Sequence, residues 1–393
     1  MVASARTEPR GSMAMELTFG DPALTARLER GMDASEEWLR ALAAGAQDPC
    51  VAEVAGHLFG PGGKRLRPLL ALVGAEFGER APSGADPYAS APSGADPYAT
   101  APSGADPYAT APPGADPYAT DPYATNPAAA DPSRAVEAAA LAELVHVASL
   151  YHDDVMDQAH TRRGVPSVNA RWGNTTAVLA GNWLLSKAAQ LAAELGPETI
   201  RLQSKVTNRL IMGQIRELVG PSDEDDPLSH YFTVVAGKSA ALISMALQLG
   251  AVRTGAPEHV VQTLAEYGEH LGIAFQISDD ILDITSTSEV SGKEQGKDLA
   301  IGVASLPVLL ALADERPEAG ELRTLLTAAT AGPEGAGLPR AVALLHRCGA
   351  LAEARTVMHA RLLRARSAAN RLPDGPATRV LHALCDFVAR RDH

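Results

Sequence analysis

Apolar side chains recur along most of the chain at the three- and four-residue spacing of an amphipathic α-helix. Between Ser133 and about His160, for example, the apolar positions include Val136, Leu144 and Val147, which fall on one side of a helix. The alternation typical of a half-buried strand is not found at useful length. The pattern therefore predicts an all-α fold, with further helices over residues 172–195, 197–218, 228–249, 257–284, 306–313, 338–372 and 376–391.

One segment interrupts the helical pattern. Residues 81–132 repeat Ala-Pro-Ser-Gly-Ala-Asp-Pro-Tyr-Ala-Thr with a ten-residue period and contain no large aliphatic side chain, no Lys and no Arg. Frequent proline disfavours helix and sheet, and the segment has nothing to bury. We therefore expect a disordered repeat loop inserted into a single all-α domain over 16–393, preceded by a disordered polar leader over 1–15. A binding role for the repeated Asp-Pro-Tyr unit is the less favoured alternative.

The overall composition fits a helical enzyme. Apolar residues make up 46% and aromatic residues only 4% of the 393 residues, and the formal net charge is −13. The acidic balance argues against a nucleic-acid partner. The three cysteines are odd in number and unclustered, so neither a disulfide framework nor a zinc site is expected. No run of eighteen apolar residues exists, so a cytoplasmic location is expected.

Two acidic clusters share one spacing: Asp-Asp-Val-Met-Asp begins at Asp153, and Asp-Asp-Ile-Leu-Asp begins at Asp279. Each lies in a predicted helix, where positions four apart share a face, so Asp153 points with Asp157 and Asp279 with Asp283. Stacked carboxylates repel each other, and a divalent cation is the simplest counter-charge. Mg²⁺ is usually held by one or two carboxylates together with substrate phosphates and water. The two clusters therefore predict a magnesium clamp for a diphosphate.

Basic residues are placed to complete an anion site. The segment Gly-Gly-Lys-Arg-Leu-Arg-Pro from Gly62 puts Lys64 and Arg67 after two glycines at a helix start, where backbone N–H groups can approach an anion. Other basic residues follow the first acidic cluster, interrupt an apolar helix or lie in a Gly- and Ser-rich stretch: Arg162, Arg163, Lys238, Lys293 and Lys297. Any one of them could be a solvated surface charge. Together with two acidic clusters, they indicate a diphosphate site.

In this order and spacing, the motifs resemble those of the trans-isoprenyl diphosphate synthases, which elongate prenyl chains. The motifs concerned are the segment from Gly62 to Pro68, the run from Glu143 to Asp157, Arg162-Arg163-Gly164 with Pro166 and Asn169, Gln214, Gly237-Lys238-Ser239, the run from Phe275 to Asp283, Gly292-Lys293, the run from Gly296 to Leu299, and Ser305-Leu306-Pro307. The resemblance extends from residue 17 to the C-terminus, apart from the repeat. Serine replaces the usual threonine at Ser239 and Ser305, and Tyr151 replaces a usual aliphatic residue.

The resemblance implies an isoprenoid-synthase-type helical bundle with a central cavity and the sequential condensation of isopentenyl diphosphate onto an allylic diphosphate. It implies that Mg²⁺ is bound by Asp153, Asp157 and Asp279, which with Lys238 form the catalytic set. The implied site for isopentenyl diphosphate consists of Lys64, Arg67, His146 and Arg163. The implied site for the allylic diphosphate consists of Arg162, Lys238, Ser239, Gln276, Lys293 and Lys297. A homodimer with at most transient membrane contact is also implied.

Other polar residues of the motifs are expected to have supporting roles. Asp154, Asp280 and Asp283 lie beside the expected metal ligands and are expected to support them. His152 is expected to be a partner of the neighbouring carboxylates, and we assign it no chemistry.

Product length depends on residues below the first acidic cluster. Ser149, Ala148 and Val145 precede Asp153 by four, five and eight positions, on or near the same helix face, and none is large enough to plug a tunnel. In the family an aromatic ring at the first two positions stops chain growth early, so a long-chain product of roughly six or more isoprene units is expected. Tyr151 or a neighbouring helix could still close the path, which leaves a geranylgeranyl or farnesyl diphosphate synthase as an alternative.

Two other classes of protein are weighed. A class I terpene cyclase would usually carry a different second metal motif and would lack the isopentenyl diphosphate site. A non-catalytic partner subunit should have lost an acidic cluster or its basic residues, and this sequence retains both.

Overall fold

The computed structural model describes residues 20–60, 65–78, 133–286, 296, 299, 302–314, 319–325 and 337–391. This part of the chain is almost entirely helical, which confirms the predicted all-α class. Its helices are α1 (Pro22–Ala44), α2 (Pro49–Gly56), α3 (Leu66–Ala75), α4 (Ser133–Met156), α5 (Val168–Trp172), α6 (Asn174–Glu194), α7 (Pro197–Val219), α8 (Pro227–Val235), a π-helical turn (Ala236–Ala240), α9 (Ala241–Arg253), α10 (Glu258–Thr285), α11 (Leu306–Ala313), α12 (Leu338–Arg347), α13 (Ala350–Ala369) and α14 (Pro376–Arg390).

Several helices begin with an Asp-Pro pair. The carboxylates of Asp21, Asp48 and Asp226 accept backbone N–H groups at 2.7–3.0 Å, and each precedes a proline at the first helical position. The aspartate satisfies an N–H that has no partner within the helix, and proline needs none. The helix starts are therefore encoded locally.

Helix α9 lies at the centre of the bundle and packs against α3, α4, α7 and α10. Two glycines allow the helices to approach at backbone contact. A Cβ atom at Gly250 would lie 1.8 Å from the carbonyl oxygen of Ala71 on α3, and one at Gly272 would lie 2.4 Å from Cα of Ala240. Helix α10, which carries the second acidic cluster, is thus held directly against the π-helical turn.

The segment Pro227–Arg253 is long and apolar enough to cross a membrane, but 67% of its apolar stretch is buried inside the fold. Burial of this kind is expected of a core helix. The predicted single helix over 228–249 is in fact α8, the π-helical turn and α9, because the Gly-Lys-Ser segment is accommodated as an expanded turn. This agrees with the interruption expected there from the sequence.

Other predicted boundaries need correction. Helix α4 ends at Met156 rather than near residue 160, and Gln158 beyond it has a positive φ of 51°. The helix predicted over 338–372 is split, because Gly349, with φ 81°, separates α12 from α13. Two antiparallel strands of two residues, β1 (Thr161–Arg162) and β2 (Val165–Pro166), were not predicted. The leader 1–15, the repeat 81–132, Lys64, Lys293 and Lys297 lie outside the described residues.

Candidate active site

The first acidic cluster lies at the C-terminal end of α4. Asp153 is partly buried, and burial raises the pKa of its carboxyl to about 6, with the charges of Asp157 and Glu217 adding to the effect and Lys238 opposing it. The backbone N–H of Asp157 donates to the carbonyl oxygen of Asp153 at 2.8 Å, so the helical geometry continues to Asp157. The charged form of Asp153 is therefore disfavoured, chiefly because its carboxyl is partly buried.

Asp154, the second residue of this cluster, faces the protein interior. It is fully buried, and the Nε of Arg162 donates to its Oδ1 at 2.7 Å. Arg162 remains partly exposed while making this ion pair. The contact ties Arg162 to α4, and the supporting role expected of Asp154 toward the metal ligands stays a prediction.

The second acidic cluster lies on α10, and its first two residues also differ in environment. Asp279 is half exposed and forms an ion pair with Arg391, whose Nη2 lies 2.6 Å from Oδ1. Asp280 is buried and accepts hydrogen bonds from the Tyr231 hydroxyl at 2.7 Å, from Gln276 Nε2 at 3.0 Å and from a backbone N–H of α11 at 3.0 Å. Asp280 therefore anchors α10 to α8 and α11. At the last position of the cluster, the backbone carbonyl of Asp283 accepts a hydrogen bond from the N–H of residue 296 at 2.7 Å.

The π-helical turn connects the two acidic helices. Lys238 forms an ion pair with Glu217 on α7 and lowers the pKa of Asp153 through its charge. Its neighbour Ser239 points to the other side, where its hydroxyl donates to Gln276 Oε1 at 2.7 Å on α10. Lys238 thus lies near the first acidic cluster, and Ser239 is linked to the second through Gln276 and Asp280.

A basic cluster surrounds the buried carboxylate of Glu143. Its Oε1 accepts from Arg65 Nη1 at 2.7 Å and from Arg163 Nη2 at 2.8 Å. Beside it, Arg67 Nη1 donates to His146 Nε2 at 3.1 Å. The charges of Asp153 and Asp279 are close enough to act on the pKa of Arg67. The structure therefore brings Arg67, His146 and Arg163 together, next to both acidic clusters.

The protonation of this basic cluster follows from burial. Burial lowers the pKa of Arg67 to about 10, with Glu143 opposing and Arg163 adding to the effect. Burial and the neighbouring Arg67 also hold the pKa of His146 well below its usual range. His146 is therefore neutral, and because its Nε2 accepts from Arg67, its proton lies on Nδ1.

Two donors of this cluster have no hydrogen-bond partner among the described residues. They are Arg67 Nε and His146 Nδ1, and both are buried. A buried donor without an acceptor costs about 1–3 kcal/mol. An anionic ligand with several oxygen acceptors would remove this cost.

Sequence reasoning missed several residues of this site. Glu143 and Arg65 lie inside motifs, but no role was assigned to either, and Tyr231 and Glu217 were not considered. Arg391 is separated from Asp279 by 112 residues, and its guanidinium lies 4.3 Å from the centre of the Phe275 ring. His152 was expected to contact a neighbouring carboxylate. This expectation is wrong, because its Nε2 contacts the carbonyl oxygen of Val178 at 3.2 Å.

The acidic residues fit a magnesium ion that shares its ligands with a substrate. Within the described residues, no group of three or more His, Cys, Asp and Glu side chains is arranged to hold a metal ion. The donors available are carboxylate oxygens, which Mg²⁺ prefers, and it commonly completes its shell with phosphate and water. The raised pKa of Asp153 means that its ionised form is disfavoured in the metal-free protein, and a bound cation would stabilise that form.

Comparison with known proteins places the chain in a family. A profile of the polyprenyl synthetase family matches residues 120–336. Nonaprenyl diphosphate synthase of Mycobacterium tuberculosis is 36% identical over 337 residues, which is 85% of each chain. The structure of geranylgeranyl pyrophosphate synthase from Corynebacterium glutamicum, complexed with calcium and isoprenyl diphosphate, has a TM-score of 0.73 at 33% identity and covers 95% of this chain and 98% of its own.

A second similar structure is that of an enzyme named for a longer product. A decaprenyl diphosphate synthase from Rhodobacter capsulatus also has a TM-score of 0.73, at 30% identity, and the match covers 94% of this chain and 99% of that one. The fold is therefore the all-α fold of the isoprenoid synthases, and the chain is a prenyltransferase. It belongs to the polyprenyl synthetase family, which confirms the predicted family, fold and enzyme class.

Proposed function

We propose that the protein, an all-trans polyprenyl diphosphate synthase, condenses isopentenyl diphosphate onto an allylic diphosphate with the help of Mg²⁺. The observation that carries the proposal is the pair of buried donors without partners, Arg67 Nε and His146 Nδ1, beside two acidic clusters. A diphosphate supplies the acceptors that these donors need. The family relationship supports the same chemistry.

In this proposal the acidic clusters and the π-helical turn bind the allylic diphosphate. Asp153, Asp157 and Asp279 would hold Mg²⁺, which supplies positive charge to the departing diphosphate when it is bound. Lys238 and Arg162 add fixed positive charge on the same side, which favours cleavage of the C–O bond. Ser239 and Gln276, already hydrogen-bonded to each other, contribute polar contacts, and Lys293 and Lys297 are proposed to add further charge.

Arg67, His146 and Arg163, with Lys64, are proposed to bind isopentenyl diphosphate. Neutral His146 donates a hydrogen bond through its Nδ1–H group, and the guanidinium groups supply charge-assisted hydrogen bonds. This orients the substrate double bond toward the allylic carbon that loses its diphosphate. The double bond forms a C–C bond to that carbon as the diphosphate leaves with the C–O electron pair. The resulting cation then loses a proton to the released diphosphate, which gives a trans double bond.

The product is proposed to be a long chain. Ala148 and Val145 on α4 are small, and Tyr151 is tied to the end of α2, where its hydroxyl donates to the carbonyl of Val54 at 2.8 Å. The positions four and five residues before Asp153 are Ser149 and Ala148, so no aromatic ring occupies them. The nonaprenyl and decaprenyl synthases among the similar proteins support a long product. The geranylgeranyl synthase among them keeps a shorter product as the alternative outcome.

Incubation with isopentenyl diphosphate, each allylic primer and Mg²⁺ tests the reaction. Diphosphate release that depends on isopentenyl diphosphate is expected, with mass spectrometry of the extracted products giving their length. Release with the primer alone would indicate a cyclase. Absence of any release, from protein with an intact helical circular dichroism spectrum, would indicate a non-catalytic subunit.

The proposed assembly is a homodimer in the cytoplasm, with at most transient membrane contact for product release. An exposed apolar stripe on α7, formed by Ile211, Ile215 and Leu218, supports a second copy as the partner. These residues lie at four- and three-residue spacing on one helix face, and a two-fold dimer covers the same patch on both subunits. Light scattering of the wild type and of Ile215→Asp tests this, since loss of the stripe should give a monomer.

A further inference from the structure

A single buried carboxylate organises the basic cluster. Glu143 on α4 is 1% exposed, and its Oε1 accepts from both Arg65 Nη1 at 2.7 Å and Arg163 Nη2 at 2.8 Å. Neither Glu143 nor Arg65 belongs to the substrate-binding set that the family resemblance implies. Arg163 does belong to it, and Glu143 is therefore in direct contact with a proposed ligand of isopentenyl diphosphate.

The two arginines that reach Glu143 also share an unusual backbone conformation. Arg65 has φ 46° and Arg163 has φ 55°, and they are two of only three non-glycine residues with positive φ in the described part of the chain. Such a conformation persists where the surroundings hold it firmly, and it is common at functional sites. Two separate backbone segments thus adopt a disfavoured conformation that directs an arginine to the same carboxylate oxygen.

Each of these arginines has a second anchor on the same loop. Arg65 Nη2 donates to the carbonyl oxygen of Phe59 at 2.5 Å, and Arg163 Nη1 donates to that of Leu58 at 2.8 Å. Both guanidinium planes are therefore held at two points. A guanidinium held in this way loses little freedom when an anion binds, so part of the cost of ordering the site is already met.

The charges of the cluster leave an excess that matches an anion. Three guanidinium groups, those of Arg65, Arg67 and Arg163, lie beside two carboxylates, the buried Glu143 and, on the outer side, Glu36, and His146 is neutral. Glu143 compensates enough charge to let the arginines approach one another, and the remaining positive charge is available to a diphosphate. A cluster without the carboxylate would be pushed apart by mutual repulsion.

We propose that Glu143, held in place by Arg65, is a positioning residue that orients Arg163 toward the diphosphate of isopentenyl diphosphate. This inference rests on the proposed function of the basic cluster. It predicts that Glu143 acts on the binding of one substrate and leaves the other substrate and the metal unaffected.

The test is a comparison of Glu143→Gln with a matched control. Glu143→Gln should raise the KM for isopentenyl diphosphate roughly 10-fold or more, as loss of one buried charge-assisted contact does, and leave the KM for the allylic primer within about 2-fold. The control is Glu36→Gln, because Glu36 lies 3.5 Å from Arg65 on the outer side of the cluster. It should change neither KM.

A double variant separates positioning from a general structural role. If Arg65 acts through Glu143, then Arg65→Gln with Glu143→Gln should have the same KM for isopentenyl diphosphate as Glu143→Gln alone. Isothermal titration of isopentenyl diphosphate into the metal-free protein should show the same loss of affinity. Additive effects of the two changes, or equal losses for both substrates, would overturn the proposal.

The remaining outcomes are also decisive. If Glu143→Gln does not fold, Arg65→Gln alone provides the same test, because a neutral amide removes the ion pair that holds Glu143; an unchanged KM for isopentenyl diphosphate there overturns the inference. A wild type that neither binds isopentenyl diphosphate nor consumes it overturns the proposed function itself. An active wild type whose KM is unchanged in Glu143→Gln overturns only the role of Glu143.

Discussion

Replacement of Asp153 by asparagine should stabilise the metal-free protein while abolishing turnover. The carboxyl of Asp153 has its pKa raised from 3.8 to about 6, chiefly by burial and also by the charges of Asp157 and Glu217. The unfolded chain therefore ionises this group at lower pH than the folded protein does. Folding stability falls as pH rises through this interval, and the full penalty is present above about pH 6.

The size of the effect follows from the pKa difference. A shift of about two pKa units corresponds to about 3 kcal/mol, which is an upper limit because Asp153 keeps some contact with solvent. Asparagine has the same shape and no charge, so Asp153→Asn should recover about 2 kcal/mol in EDTA at pH 8. At pH 5 the gain should shrink by about half, because the folded carboxyl is then largely protonated.

The neighbouring residue provides the control. Asp154 is fully buried and paired with Arg162, so Asp154→Asn should destabilise the protein by about 1–3 kcal/mol under the same conditions. Urea denaturation followed by circular dichroism measures both variants. Mg²⁺ should stabilise the wild type and have little effect on Asp153→Asn. If Asp153→Asn is less stable than the wild type in EDTA at pH 8, the conclusion that burial disfavours the charged carboxylate of Asp153 is wrong.

Four further changes test separate parts of the structure. Arg391→Gln removes the cation paired with Asp279, so Mg²⁺ titrated calorimetrically should bind roughly 2–5-fold more tightly; weaker binding would contradict this. Tyr151→Phe removes the hydroxyl that donates to the Val54 and Ala55 carbonyls at the end of α2 and should cost about 0.5–1.5 kcal/mol in urea denaturation with unchanged KM values. Ala148→Phe should shorten the product, and an identical product distribution by mass spectrometry would move the tunnel elsewhere. Deletion of 82–130 should preserve activity and melting temperature, because that sequence has no large apolar side chains to bury; a lower melting temperature would show that it contributes to the core.

Much of the fold was predictable because its signals are local. Asp-Pro pairs mark the starts of α1, α2 and α8, and apolar stripes at helical spacing mark their buried faces. Helices α1 and α2 were nevertheless not among the predicted helices. A different kind of error occurred where the backbone conformation depends on one residue. Gly349 ends α12 with a positive φ, yet the apolar pattern runs on through it, so the periodicity alone gave one long helix. Helix propensity does not locate such a break between two helices when the segments on both sides are strong helix formers.

The candidate site divides in the same way. Asp153, Asp279 and Arg67 belong to motifs whose spacing is visible in the sequence, and the structure brings them into electrostatic contact. Arg391 has no local signal, since its relation to Asp279 depends on how α14 packs against α10. Glu143 lies within a motif, but a single glutamate on an apolar helix gives no indication of which cations it meets. Long-range charge pairing requires the tertiary structure.

The two acidic clusters follow one physical rule that the sequence alone does not reveal. Adjacent residues on a helix point about 100° apart, so an Asp-Asp pair cannot direct both carboxylates into one cavity. Asp154 and Asp280, the second members, are buried and bonded to Arg162 and to Tyr231 respectively. The first members, Asp153 and Asp279, are partly exposed. The pKa of Asp153 is raised, and Asp279 forms an ion pair with Arg391. Each pair thus combines one buried carboxylate that fixes the helix with one that is partly exposed. At the first pair, where burial raises the pKa of Asp153 and Asp154 is paired with Arg162, substitutions at the two neighbouring positions should have opposite effects on stability.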